Sequence, residues 1–231
     1  MITYDHLDLD HLGEILRSLV LFESLNTVDL AGLPQEYIQV LGYDAGESLI
    51  QEGGSDRVLF VLLHGFASVV KEGAGISMAN MEPGDFFGEV GFLTGRKRLT
   101  NVVVQPPSLA PIRSERPQLG GHILEAILKK QKKVAVVLRV DGKILQYLSP
   151  SQRLMLKNKV IDQLMARIAE MVDKVRAMQG TFMELDMAKE LEKVAQRHVG
   201  LPIDSEPGRD VIINYLAEWI DRLNRQLTEV Y

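Results

Sequence analysis

Between Gly42 and Gln105, short runs of valine, leucine and phenylalanine are repeatedly cut by glycine, at Gly46, Gly53, Gly54, Gly65, Gly73, Gly75, Gly84 and Gly88. Turn signals this closely spaced leave room only for short strands, so this part of the chain is expected to form an antiparallel sandwich or barrel. Leu59 to Val70 reads as a strand, a turn at Gly65 and a second strand. Asn101 to Gln105 reads as another strand, and Pro106, Pro107, Pro111 and Pro117 mark where pairing should stop. Before this region, Asp10–Val20 has helical apolar spacing and Leu30–Val40 suggests a second helical segment. After it, helices are expected over His122–Lys133 and Val134–Leu148.

Ser149-Pro150-Ser151 breaks that pattern: proline after a helix, with serine as an N-cap, suits a new start. From Ser151 to Gln179, Leu154, Ile161, Ile168 and Val175 recur every seven residues, with Leu164, Met171 and Met178 between them. Lys157 interrupts the second series. Such a seam can close between two chains as a parallel coiled coil, or within one chain as a packed bundle. Partner faces are available on expected helices near Phe182–Arg197 and Asp210–Val230, the latter striped by Ile213, Leu216, Ile220, Leu223, Leu227 and Val230. The expected organisation is one domain over residues 1–148 and a helical domain over 149–231.

The 231 residues include no cysteine, which excludes disulfides, thiol catalysis and cysteine-held metals and agrees with a cytoplasmic location. The first residues lack the basic start and apolar core of a signal peptide, and no run reaches the roughly 20 apolar residues a membrane span needs. With 26 basic against 31 acidic residues, nucleic acid is not expected as a partner. The region from Ser151 onward repeats this balance, with 12 basic and 13 acidic residues, so no basic reading head stands out.

Chemistry concentrates in Phe87-Gly-Glu-Val-Gly-Phe-Leu-Thr-Gly-Arg-Lys-Arg-Leu-Thr100. A phosphate held away from water needs amide donors and a cation of matching shape. Gly88 lets the backbone approach, and an arginine supplies a planar fork that lysine lacks. The carboxylate of Glu89 would repel phosphate, so it must face a donor such as a ribose hydroxyl. No catalytic triad, paired-carboxylate motif or Walker loop stands out, and an enzyme is not expected. The five histidines lack metal-ligand spacing. Arg96 and Lys97 read as a solvated turn or an anion-steering pair, and Lys129, Lys130, Lys132 and Lys133 as a solvated helix face or a contact for an acidic partner.

These residues resemble the phosphate-binding cassette of the cyclic-nucleotide-binding domain family, which includes the cyclic AMP receptor protein and the regulatory subunit of protein kinase A. The family pattern of Phe-Gly-Glu, eight residues, then arginine maps onto Phe87, Gly88, Glu89 and Arg98. The resemblance extends back through Gly46-Glu47, Gln51-Glu-Gly53, Leu59-Phe60 and Gly65. It implies an α+β fold, a jelly-roll-like antiparallel β-barrel with flanking helices, followed by an all-α C-terminal domain. It also implies a hinge helix near residues 118–130 and a C-helix over 134–148. The implied ligand is cyclic AMP or cyclic GMP, with no cofactor and no metal. The implied site comprises Phe87, Gly88, Glu89, Val90, Arg98, Leu99 and Thr100, Glu89 taking the ribose hydroxyl and Arg98 the phosphate.

Leu99 and Thr100 depart from the family, which usually has alanine, serine or threonine after the arginine and alanine next. Leucine adds bulk and removes a hydroxyl against the phosphate. Three functions stay open on the sequence. One is a receptor, expected to be a homodimer, that signals through its C-terminal helices to a partner protein. The others are a transcription regulator with a divergent DNA-binding domain and a structural barrel that has lost nucleotide binding.

Overall fold

The computed structural model describes residues 1–4, 9–22, 33–70, 77–109, 133–179, 202 and 204–229. Its strands are β1 (Ile2–Thr3), β2 (Ile38–Tyr43), β3 (Ser48–Ile50), β4 (Val58–His64), β5 (Ala67–Val70), β6 (Ser77–Met81), β7 (Phe86–Phe87), β8 (Asn101–Val104) and β9 (Ala135–Asp141). The α-helices among the described residues are α1 (Leu9–Arg17), α2 (Glu89–Thr94), α3 (Pro150–Gln179) and α4 (Glu206–Glu229). All strand pairs are antiparallel, in one sheet of order β1-β2-β9-β4-β7 and another of order β3-β8-β5-β6. The jelly-roll-like barrel expected from the sequence takes the form of two antiparallel sheets that share a core.

Strand alternation decides how that core is divided. Val58, Phe60 and Leu62 of β4, with Ala135 and Val137 of β9, face a cluster that includes Ile50, Met81, Val102 and Val104 of the second sheet. Leu59, Val61 and Leu63, with Val136, Leu138 and Val140, face the other way and join Ile15 and Leu16 of α1, Leu164 and Ile168 of α3, and Leu216 of α4. Both central strands are therefore buried on both faces, and each fully buried Leu or Val contributes about 1.5–3 kcal/mol.

That double burial corrects one expectation. Val134–Leu148, expected to be a helix, is strand β9 followed by a 3₁₀ segment, Gly142–Tyr147. Val136, Val137, Leu138 and Val140 are β-branched or bulky and lack polar alternation because both faces of β9 are covered, with only Arg139 and Asp141 partly exposed. Leu30–Val40 is likewise corrected over its described part: Gln35–Tyr37 is a 3₁₀ turn, and β2 begins at Ile38. The turn at Gly65 is as expected, carrying the chain from β4 in one sheet to β5 in the other, with Gly65 at φ +84° and so close to the Val134 carbonyl that any Cβ would collide with it. The expected hinge helix at 118–130 and the helices at 122–133 and 182–197 lie outside the described residues, apart from Lys133.

Helix α3 starts where the sequence places it. The Ser149 hydroxyl accepts from the Gln152 amide at 3.3 Å, the Gln152 side chain accepts from the Ser149 amide at 2.7 Å, and Pro150 fills the first helical position. Its apolar seam closes within the chain. Val160, Ile161, Leu164 and Ile168 are buried in the same core as Ile213, Leu216 and Leu223 of α4. Lys157, the misfit in the heptad, reaches Glu206 at 3.2 Å and Asp210 at 2.8 Å, and Arg153 joins Glu206 at 2.7 Å. The charge thus sits between two helices of one chain.

Candidate functional site

Strand β7 delivers the cassette. Phe87 pairs with Phe60 of β4 and stacks on its ring, with centroids 5.7 Å apart. The chain then turns at Gly88, which has φ +80° and starts α2. A Cβ there would lie 2.7 Å from Arg98 Nη1 and 2.9 Å from the Val58 carbonyl oxygen, so glycine is required by conformation and by space. Helix α2 ends at Gly95, and its last carbonyls are capped by Arg57, which donates to Phe92 at 3.1 and 3.2 Å and to Leu93 at 3.1 Å.

The loop after α2 folds back onto the Gly53–Gly54 turn. The Arg98 amide donates to the Gly54 carbonyl at 2.8 Å, and the Gly53 amide to the Arg98 carbonyl at 2.9 Å. This places the Arg98 guanidinium beneath the cassette. Nη1 donates to the Gly88 carbonyl at 2.7 Å and Nη2 to the Val58 carbonyl at 2.6 Å. Nε and Nη2 also form a fork on the Asp56 carboxylate, at 3.2 and 2.6 Å. The arginine side chain is 2% exposed and that of Asp56 54%, so the pair joins an interior cation to a surface anion. The hydrogen bonds from Arg98 hold the Asp56 carboxyl below its ordinary value. Four of the five guanidinium N–H groups are thereby taken, leaving one on Nη1.

Glu89 is buried at 3% exposure and meets a partner that its sequence neighbours do not suggest. Arg167 of α3 donates from Nη1 to its Oε1 at 2.7 Å and from Nη2 to the Phe86 carbonyl at 2.6 Å. Gln163, one turn earlier, donates to the same carbonyl. All seven residues expected at the site line one cavity of about 100 Å³, space for several waters. Val90, Leu99 and Thr100 are half-buried in its wall, so Leu99 occupies the cavity edge rather than open solvent. The opposite wall comes from Arg167, Glu170 and Met171 of α3 and Ile220 and Asn224 of α4. Arg96 does not line the cavity but ties the cassette to α4, donating to the Asn214 carbonyl at 3.0 Å and meeting Glu218 at 3.2 Å. No group of three His, Asp or Glu suited to a metal occurs among the described residues. Nor is any described helix long and apolar enough to cross a membrane.

Sequence reasoning misses Asp56, Arg57, Gln163 and Arg167. The first two follow the Gly53-Gly54 turn, where polar residues are ordinary; the last two lie on a polar helix face with no local signature.

Residues 40–110 match a family model described as the cyclic nucleotide-binding domain. Over 89 residues, 38% of the chain, it is 33% identical to the cAMP-dependent protein kinase regulatory subunit of Eremothecium gossypii, and the match spans 19% of that protein's length. A solved cyclic nucleotide-binding domain from Methylobacillus flagellatus aligns over 77% of this chain and 86% of its own, with 19% identity and a TM-score of 0.51, a likeness of fold. The regulatory domain of Toxoplasma gondii PKA, solved with cAMP, aligns over 65% of this chain and 49% of its own, with 15% identity and a TM-score of 0.46. Over residues 40–110, then, this chain is similar in sequence to the cyclic nucleotide-binding domain family, and it shares that family's fold.

Proposed function

We propose that the chain is a receptor for a cyclic mononucleotide, cyclic AMP or cyclic GMP, which passes the binding event through α3 and α4 to a partner protein. The observation that carries this reading is the cassette itself. Gly88 turns the backbone into α2, and the buried Arg98 keeps one N–H in reserve directly beneath that turn. The apolar remainder of the cavity suits a purine, and the sequence match to a kinase regulatory subunit supports the ligand class. Phe87, Gly88, Glu89, Val90, Arg98, Leu99 and Thr100 are the proposed contact residues. In this reading residues 1–148 sense and 149–231 report, although one apolar core runs through both. The receptor is further proposed to work in the cytoplasm as a homodimer.

One observation favours a second reading, a scaffold that no longer binds. Arg98 is already paired with Asp56, and Leu99 lines the cavity. Calorimetric titration of the full chain with cyclic AMP and cyclic GMP separates the two. The receptor reading expects binding of one nucleotide at micromolar concentration or tighter, lost in Arg98→Ala. Absence of heat with both nucleotides leaves the scaffold reading.

A further inference from the structure

We infer that Arg167 is the counter-charge that makes the cavity acceptable to an anion, and that it is the positioning residue joining the cavity to α3. The inference rests on the cyclic-nucleotide reading above and concerns the same site. Glu89 presents a buried carboxylate in a wall that must also receive a phosphate. Two like charges in a poorly solvated space repel strongly. Within the cassette, the charge of the buried Arg98 is already offset by Asp56, and Lys97 is exposed, so neither offsets Glu89. Arg167 supplies that offset from 78 residues away along the chain.

Its geometry fits that role better than that of a surface ion pair. One guanidinium nitrogen takes Glu89, and the other takes the carbonyl of Phe86, two residues before Gly88. The second nitrogen also lies 3.7 Å from Met81 Sδ. The side chain is 20% exposed against 3% for Glu89, so the pair is sealed on the cassette side and open on the helix side. Gln163 fixes the same carbonyl from the preceding turn of α3. A ligand that shifts Glu89 or Phe86 therefore pulls on α3 directly. Helix α4 packs on α3 and carries Trp219, the one tryptophan in the chain, with Arg222 5.6 Å above its ring.

The test uses the full chain, cyclic AMP and cyclic GMP as probes, and Trp219 fluorescence beside calorimetry. Arg167→Met is expected to weaken nucleotide binding at least tenfold. The double variant Glu89→Gln/Arg167→Met, which removes both charges, is expected to recover most of that loss. Arg167→Lys keeps the charge but cannot hold Glu89 and the Phe86 carbonyl together, so it is expected to lose about threefold to tenfold, less than the methionine variant. Nucleotide is expected to shift Trp219 emission in wild type and not in Arg167→Met at saturation. Circular dichroism establishes that each variant is folded, and the lysine variant carries the test if the methionine variant is not. Binding by Arg167→Met as tight as wild type or tighter overturns the inference, as does a double variant no better than the single one. No binding by wild type overturns the receptor reading and the role of Arg167 together, a pattern distinct from wild-type binding with indifferent variants.

Discussion

The cavity has two walls that are assembled in different ways. The cassette wall is built from neighbours in sequence. Phe87 to Thr100 supply it, and its arginine reaches a carbonyl only ten residues back. The helix wall comes from α3 and α4, and its arginine meets a carboxylate 78 residues away. The cassette wall is held by backbone conformation and buried carbonyls, which tolerate no replacement. The helix wall is held by side chains with partial access to water, which can rearrange. One wall is thus suited to recognising a ligand and the other to responding to it.

This contrast places the costliest substitutions on the cassette side. Gly88→Ala forces a Cβ into left-handed backbone and against Arg98 and Val58, and is expected to destabilise the fold by about 2–5 kcal/mol. Thermal unfolding followed by circular dichroism measures it, and a loss below about 1 kcal/mol would erase the distinction between the walls. Arg98→Met leaves the Gly88 and Val58 carbonyls without their donor and is expected to cost about 2–4 kcal/mol in the same assay. On the helix side, Lys157→Met is expected to cost less, about 1–2 kcal/mol, because Glu206 and Asp210 keep access to solvent. Arg96→Ala, which removes an exposed bridge between the two walls, is expected to change stability by less than about 1 kcal/mol.

A pH series sharpens the same comparison. The Asp56 carboxyl lies below its ordinary value of 3.8 because Arg98 bonds it. Since the folded value is the lower one, its stabilising contribution is complete above pH 3.8 and fades as pH falls through the folded value. The stability gap between wild type and Asp56→Asn is therefore expected to close in acid, as read from urea unfolding at several pH values. A gap that persists unchanged below the folded value would show that the Arg98 fork does not depend on the carboxylate charge.

The same division governs how much of the molecule is legible in its amino-acid sequence. The cassette is legible because its chemistry is local: a glycine where the backbone must turn, a carboxylate beside it and an arginine at fixed spacing. The start of α3 is legible through Ser149 and Pro150, since capping too is decided by adjacent residues. Strand β9 is not. A strand buried on both faces loses the alternation that distinguishes it from a buried helix, and Ala135–Val140 is apolar at every position but Arg139. Arg167 is invisible for the opposite reason. An arginine among polar neighbours on a helix reads as solvated until the fold brings Glu89 to it. Lys157 carries a usable signal, because a charge interrupting a heptad seam requires a partner across the seam.

Strand β9 also sets a timetable. It lies between β2 and β4, which do not pair with each other, so the larger sheet stays in two pieces until residues 135–141 have been made. During synthesis, β1 and β2 wait beside β4 and β7 with their inner edges unsatisfied, exposed to any other strand that comes within reach. Pairing Tyr43 with Ala135 then closes a long stretch of chain in one event, the kind of distant contact that slows folding. The chain entering β9 then passes so close to Gly65 that a side chain at that position would collide with Val134 and Ala135.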